Sequence, residues 1–377
     1  MSAAGIIFSN VHDNHMPELT SARTIASVPF GCRYRFIDFT LSNMVNSNIY
    51  NISVITHNNY LSLMDHIGSG KDWDLARRSG GIKMLPPNVA PYSYNGQATG
   101  LSRLEALKGV NYSLSKIKDE YVVLSDCDVI CNIDLNSMID YHVASGADMT
   151  LAVKKMYLTK EKAESSVIME ADEDGRVTGI LNYPNDFSGD AEVCLNMIVM
   201  STEYLRHLVR DSIARNYHSL TKDVIANNIT NCNIRVFRYD GYFAAIYSVA
   251  DYFAASMELI SNDSARRALF EVKNRPVLTK IRNSEPTYYS GVSRVKNSLI
   301  ADGCVIEGTV ENSILFRGVK IGRDTTVRNS IIMQDTVCGE GCYLNCVISD
   351  KNVVIRDGVM LSGAKTLPYY VAKRKMI

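Results

Sequence analysis

The chain has no excess of charge of either sign, because forty basic side chains are balanced by forty acidic ones. That balance removes the electrostatic footprint of a nucleic-acid binder or a polybasic membrane anchor, and leaves small molecules or other proteins as partners. No apolar run is long enough to cross a bilayer, and no charged and apolar leader opens the chain. The nine cysteines are odd in number and scattered, which fits reduced thiols in a cytoplasm rather than a disulfide framework. Cys338, Cys342 and Cys346 recur every fourth residue but lack the paired ligands of a zinc site, so they read as small buried residues. Histidine is missing beyond His218. Glycine is missing from the stretch "SNVHDNH", Ser9 to His15, which follows an apolar strand where a phosphate-binding turn would need it.

What remains is a two-part pattern. Short apolar runs alternate with helical ones through the first part, the signature of an α/β domain. Ala3 to Phe8 reads as a strand, Phe36 to Ser47 as a helix with Ile37, Leu41, Met44 and Val45 on one face and Asn48 as its stop, and Asn51 to His57 as the next strand. Tyr121 to Ile130 is a central strand ending in acids, and Ala147 to Lys154 is another strand. In an open sheet of this kind the ligand lies beyond the carboxyl ends of the strands, so the loop after Phe8 and the acids near Asp128 should face one crevice.

From about Gly291 the texture changes. "NSLI" at Asn297, "NSIL" at Asn312, "NSII" at Asn329 and "NCVI" at Asn345 recur every 15 to 17 residues, with short β-branched runs between them. Such spacing predicts a left-handed parallel β-helix of hexapeptide repeats. The expected layout is an α/β domain over 1–260, a connector over 261–290 containing Pro276 and Pro286, and the β-helix over 291–377. Hexapeptide-repeat acyltransferases use a histidine base beside the helix. With no histidine there, the repeat reads as an assembly or regulatory surface.

The stretch "VPFGCRYRFIDFTLSNMVNSNIYNISVITH", from Val28 to His57, resembles the ADP-glucose pyrophosphorylases. That family joins a nucleotidyltransferase domain (Rossmann-like, GT-A-like) to a C-terminal β-helix, so the resemblance extends over the whole chain. Its members make ADP-glucose from ATP and glucose 1-phosphate for glycogen or starch synthesis. The reaction needs phosphates gripped by backbone N–H groups and lysines, and a carboxylate-held metal bridging them.

The resemblance implies where those groups should sit. The glycine-arginine phosphate loop of the family falls on Asn10, Val11, His12, Asp13, Asn14, His15 and Met16, and its lysine on Ile25, in the run Arg23 to Ala26. β-Branched Val11 suits no left-handed turn, and Asp13 would put a carboxylate toward the triphosphate. Of the two metal-holding acids one is kept as Asp128, while the other falls on Ala245. Asp126 and Asp134 are near in sequence, but groups two and six residues away on a strand end need not face the same ion. The hexose-phosphate lysine falls on Tyr183, in Ile180 to Pro184, while His218, Lys222 and Asp223 are retained with Ser219 replacing an acid. Lys222 and Asp223 suit either a sugar phosphate or an ordinary helix start. Ser102 to Ala106 aligns with the segment that lies along the nucleotide. His12 and His15 have the spacing of a metal pair, yet with no matching ligands elsewhere they read as ordinary histidines on an exposed loop.

The expectation is a non-catalytic regulatory subunit that binds no metal or cofactor itself. It would assemble, as a mixed tetramer, with a catalytic paralogue that holds Mg2+, with a homo-oligomer as the state when alone. An active sugar-phosphate nucleotidyltransferase with a divergent loop is the alternative, kept open by Asp128, Lys222 and Asp223.

Overall fold

The computed structural model describes residues 1–86 and 102–377. Its residues form two compact units. The first comprises Met1–His12, Phe39–Ala245 and Lys273–Leu278, and the second Asp13–Asp38, Ile246–Val272 and Thr279–Ile377. Two stretches of the expected α/β domain, Asp13–Asp38 and Ile246–Val272, therefore group with the β-helix. The expected connector contains a helix, Asp263–Phe270, capped by Asn262.

The first unit is built on a nine-stranded mixed sheet. Ala3–Phe8 lies between Asn51–Ile55 and Tyr121–Asp126, parallel to both, and Gly81–Leu85 extends the parallel side. Gly189–Ser201 runs antiparallel to Tyr121–Asp126 on the other side. Ile6, Ile7, Val122 and Val123 are fully buried, as a strand covered on both faces requires. Each such side chain removed from water contributes about 1.5–3 kcal/mol before chain entropy is counted. The helix Phe36–Asn46 forms as its periodicity demands and stops before Asn48, which takes a left-handed φ of 59°. It is buried on every side up to Val45 rather than along one face. The expected strand Tyr121 to Ile130 is two strands, Tyr121–Asp126 and Val129–Cys131, broken at Cys127–Asp128.

In the second unit, three parallel sheets of five two- or three-residue strands make the β-helix. Val295, Val310, Val327, Leu344 and Leu361 form one column, each paired with the next coil. At the corners Asn297, Asn312 and Asn329 take left-handed φ angles of 44°, 47° and 45°, which asparagine tolerates better than most residues. The fourth corner is Cys346 and not Asn345: Arg328 pairs with Asn345, so the repeat over the last coils is 17 residues, one longer than the "NCVI" match indicated. Asn345 instead accepts from the Asn329 side chain at 2.9 Å. A serine ladder runs beside it, with Ser298, Ser313 and Ser330 Oγ accepting the backbone N–H of Ser313, Ser330 and Val347. Gly322 is required because a Cβ there would lie 2.5 Å from the Gly339 carbonyl of the next coil. Cys338 and Cys342 are buried in the apolar core, as their composition indicated.

Candidate functional site

The register of the first sheet brings the two suspected segments together. Phe8 pairs with Asp126, so the loop that leaves Phe8 starts beside the acids. Asn10 holds the loop's entry: its Oδ1 accepts from the His57 backbone N–H at 2.8 Å and from Thr56 Oγ1 at 3.2 Å. No residue from Asn10 to His15 has a left-handed φ. The loop folds as turns and a short 3-10 helix, Asp13–His15, rather than as a phosphate cradle.

His12 is a correction to the sequence reading, because it is buried and not exposed. Its Nε2 lies 3.0 Å from Asp126 Oδ2 and 3.5 Å from Asp128 Oδ2. Burial alone would lower the imidazole, but Asp128 and then Asp126 outweigh it and raise its pKa above the ordinary value.

Arg103, which the sequence reading did not single out, completes the cluster. Its Nε donates to both Asp126 oxygens at 2.9 Å, a terminal nitrogen donates to Oδ2, and the same nitrogen lies 3.2 Å from His12 Nε2. Burial would raise Asp126, but Arg103 and then His12 hold its carboxylate below the usual range. Arg103 is the first residue of the helix Arg103–Gly109, whose cap Ser102 accepts from the Glu105 N–H and donates to the His218 carbonyl at 2.6 Å. Lys108 bonds to Glu105 and to the Tyr217 carbonyl, which fixes the helix further. The sequence signal that could have found it is the Ser-x-x-Glu capping box, Ser102 to Glu105, which places Arg103 at a helix start.

Asp128 is fully buried, and among the described residues neither carboxyl oxygen has a hydrogen-bond partner. Burial first, and Asp126 beside it, raise its pKa above the usual range despite His12. Asp126 does share its site, contrary to the strand-end argument, because the strand stops at Asp126 and a turn carries Asp128 back toward it. By distance alone His12, Asp126 and Asp128 could ligate a metal, since one donor atom from each lies within 4.8 Å of the others. Their chemistry does not fit the family's divalent ion. Asp126 is already neutralised by a guanidinium, and Ala245, opposite Val129 across a short ladder, supplies no second acid beside Asp128.

The remaining candidates are spread around this cluster. Tyr183 sits half-exposed with a left-handed φ of 54°. Its phenol is pushed up by burial, with Arg103 opposing. Asp223 turns inward to accept the backbone N–H groups of His218 and Ser219 at 2.7 and 2.8 Å, which holds its carboxyl below the usual range. It is a cap, and Lys222 beside it is exposed. Asp134 also caps a helix, accepting from Asn136 and Ser137.

In the second unit, one oxygen of Asp13 is engaged by the backbone. Its Oδ1 accepts the Ile25 backbone N–H at 2.7 Å, and Ile25 itself is buried. His15 packs edge-on against Tyr247. Arg23 donates to both oxygens of Asp350 at 2.7 and 2.9 Å, and Tyr370 donates to the same carboxylate at 3.0 Å. Lys351, Arg35 and Lys373 crowd this pair. Burial, with Arg35 and Arg23 adding, pushes the Lys351 ammonium down to about 6.

Comparison with known proteins defines the class first. Residues 14–240 match the family model "Nucleotidyl transferase" and residues 287–365 match "GlmU-like, C-terminal hexapeptide". The chain belongs to the nucleotidyl transferase family, in the group of the ADP-glucose pyrophosphorylases. It is 32% identical to the glycogen biosynthesis protein GlgD of Bacillus subtilis, over 98% of this chain and 95% of that protein. It is 37% identical to GlgD of Geobacillus stearothermophilus over 86% and 82% of the two chains. Glucose-1-phosphate adenylyltransferase of Bacillus cereus is 29% identical over 94% and 93%. Among the described residues no helix is long and apolar enough to cross a membrane.

Proposed function

We propose that the chain is a non-catalytic regulatory subunit of ADP-glucose pyrophosphorylase, acting in glycogen biosynthesis. In this reading it assembles in the cytoplasm with a catalytic paralogue that holds Mg2+, as a mixed tetramer, and alters that partner's rate or effector response. The observation that carries the reading is the closed charge of the strand-end cluster: Arg103 and His12 satisfy Asp126, and Ala245 stands where a second acid would be needed. Ile25 and Tyr183 remove the positive charge that would grip phosphates. The likeness to both GlgD and the adenylyltransferases supports a partner that resembles this chain.

A second reading, an active nucleotidyltransferase with a divergent loop, is favoured by one feature, the presence of Asp126 and Asp128 in a single site. The test is pyrophosphate release from ATP and glucose 1-phosphate by the catalytic paralogue, with and without this chain. Conformational coupling between subunits is typically about 1–3 kcal/mol, so the partner's rate or effector affinity should change by about fivefold or more. An unchanged partner would refute the regulatory role.

A further inference from the structure

We propose that Arg103 is a resident cation that holds Asp126 in place of a divalent metal ion, so that the carboxylate pair keeps its place with no metal and has lost affinity for one. The inference deepens the reading above and rests on it for its biological sense, but its test involves no partner and no turnover.

Charge count is the first support. Two carboxylates face one guanidinium and one imidazole, and Asp126 is already paired with the guanidinium. A divalent ion entering among them would add its charge beside the guanidinium, so it could bind only after Arg103 left Asp126. Anchorage is the second support. The guanidinium projects from the first residue of a helix whose start is capped by Ser102 and tied to the His218 carbonyl, and whose body is tied to the Tyr217 carbonyl through Lys108. Its side chain is only 10% exposed, so leaving Asp126 would strand both charges away from water.

Asp128 is the third support. Among the described residues both oxygens of this buried carboxyl lack a hydrogen-bond partner, so Asp128 keeps an unmet demand for a donor or a cation. Arg103 reaches Asp126 but makes no hydrogen bond to Asp128, so the substitution of cation is incomplete. That residue of unmet demand is what makes the inference testable.

The probe is Mn2+ alone, titrated into the purified full-length chain while the free-ion electron paramagnetic resonance signal is read. Thermal unfolding is followed in parallel. The wild-type chain should leave Mn2+ free at millimolar concentration. Arg103→Ala should unfold at lower temperature, bind Mn2+ at least about tenfold more tightly than the wild type, and recover its midpoint as Mn2+ is added. Adding Asp128→Asn to that variant should abolish both the binding and the recovery. Arg103→Gln, which removes the charge but can still donate to Asp126, covers the case in which Arg103→Ala does not fold. Two results would overturn the inference: tight Mn2+ binding by the wild type that Asp128→Asn removes, or folded Arg103 variants that bind Mn2+ no better than the wild type.

Discussion

The two units treat buried polar atoms in opposite ways. In the β-helix, Ser313 and Ser330 are fully buried, yet each hydroxyl donates to a backbone carbonyl and accepts from the next coil. At the strand ends of the α/β sheet, Asp128 is as deeply buried and, among the described residues, has no hydrogen bond at either oxygen. The ladder repeats because every coil faces the same geometry, and a satisfied hydroxyl adds to stability at each step. The cluster occurs once, so no repeated geometry supplies a donor for Asp128.

Substitutions should break this contrast in a definite order. Arg103→Ala leaves a buried Asp126 with its main counter-ion gone and should cost about 3–5 kcal/mol in chemical denaturation. A loss below about 1 kcal/mol would show that the guanidinium behaves as a surface partner. Leu344→Ala, in the apolar column, should cost about 2–5 kcal/mol through lost burial and the cavity left behind. Retained stability would mean that the coil collapses around the gap. Ser330→Ala leaves the Val347 N–H unpaired and should cost about 1–3 kcal/mol. An unchanged midpoint there would sink the claim that the ladder is stabilising.

A further effect concerns pH in the second unit. Lys351 is held at about 6, whereas an unfolded lysine keeps its proton to about 10.4. Between those values the unfolded chain binds the extra proton, so stability rises with pH across the window, and the full cost is present below about 6. Lys351→Met should flatten that slope in denaturation curves taken from pH 6 to 9; a slope identical to the wild type would place the ammonium in water.

How much of this was legible in the sequence follows from the same contrast. The strand Ala3–Phe8, the helix from Phe36 and the repeat from Asn297 are written in local periodicity, and they formed where the pattern placed them. The fourth corner slipped by one residue because "NCVI" matches the motif in letters while Cys346, not Asn345, occupies the corner. That Ile25, Tyr183 and Ala245 bring no full charge is legible directly as residue type. Burial of His12 is not, since it depends on Phe8 standing beside Asp126 in the sheet. The backbone partner of Asp13 was hidden for a related reason. A carboxylate in a loop is as able to accept a backbone N–H as to meet a ligand, and here it accepts from Ile25. The role of Arg103 depends on a partner 23 residues away in sequence and on the helix cap at Ser102, neither of which local periodicity shows.

The central claim is that this chain's own cations have closed the site that would otherwise carry the chemistry. Pyrophosphate release by the purified chain alone, with saturating ATP, glucose 1-phosphate and Mg2+, tests it most directly. The account predicts no release above the enzyme-free background. Turnover on the order of 1 per second or faster, within the ordinary range of enzymes, would contradict it.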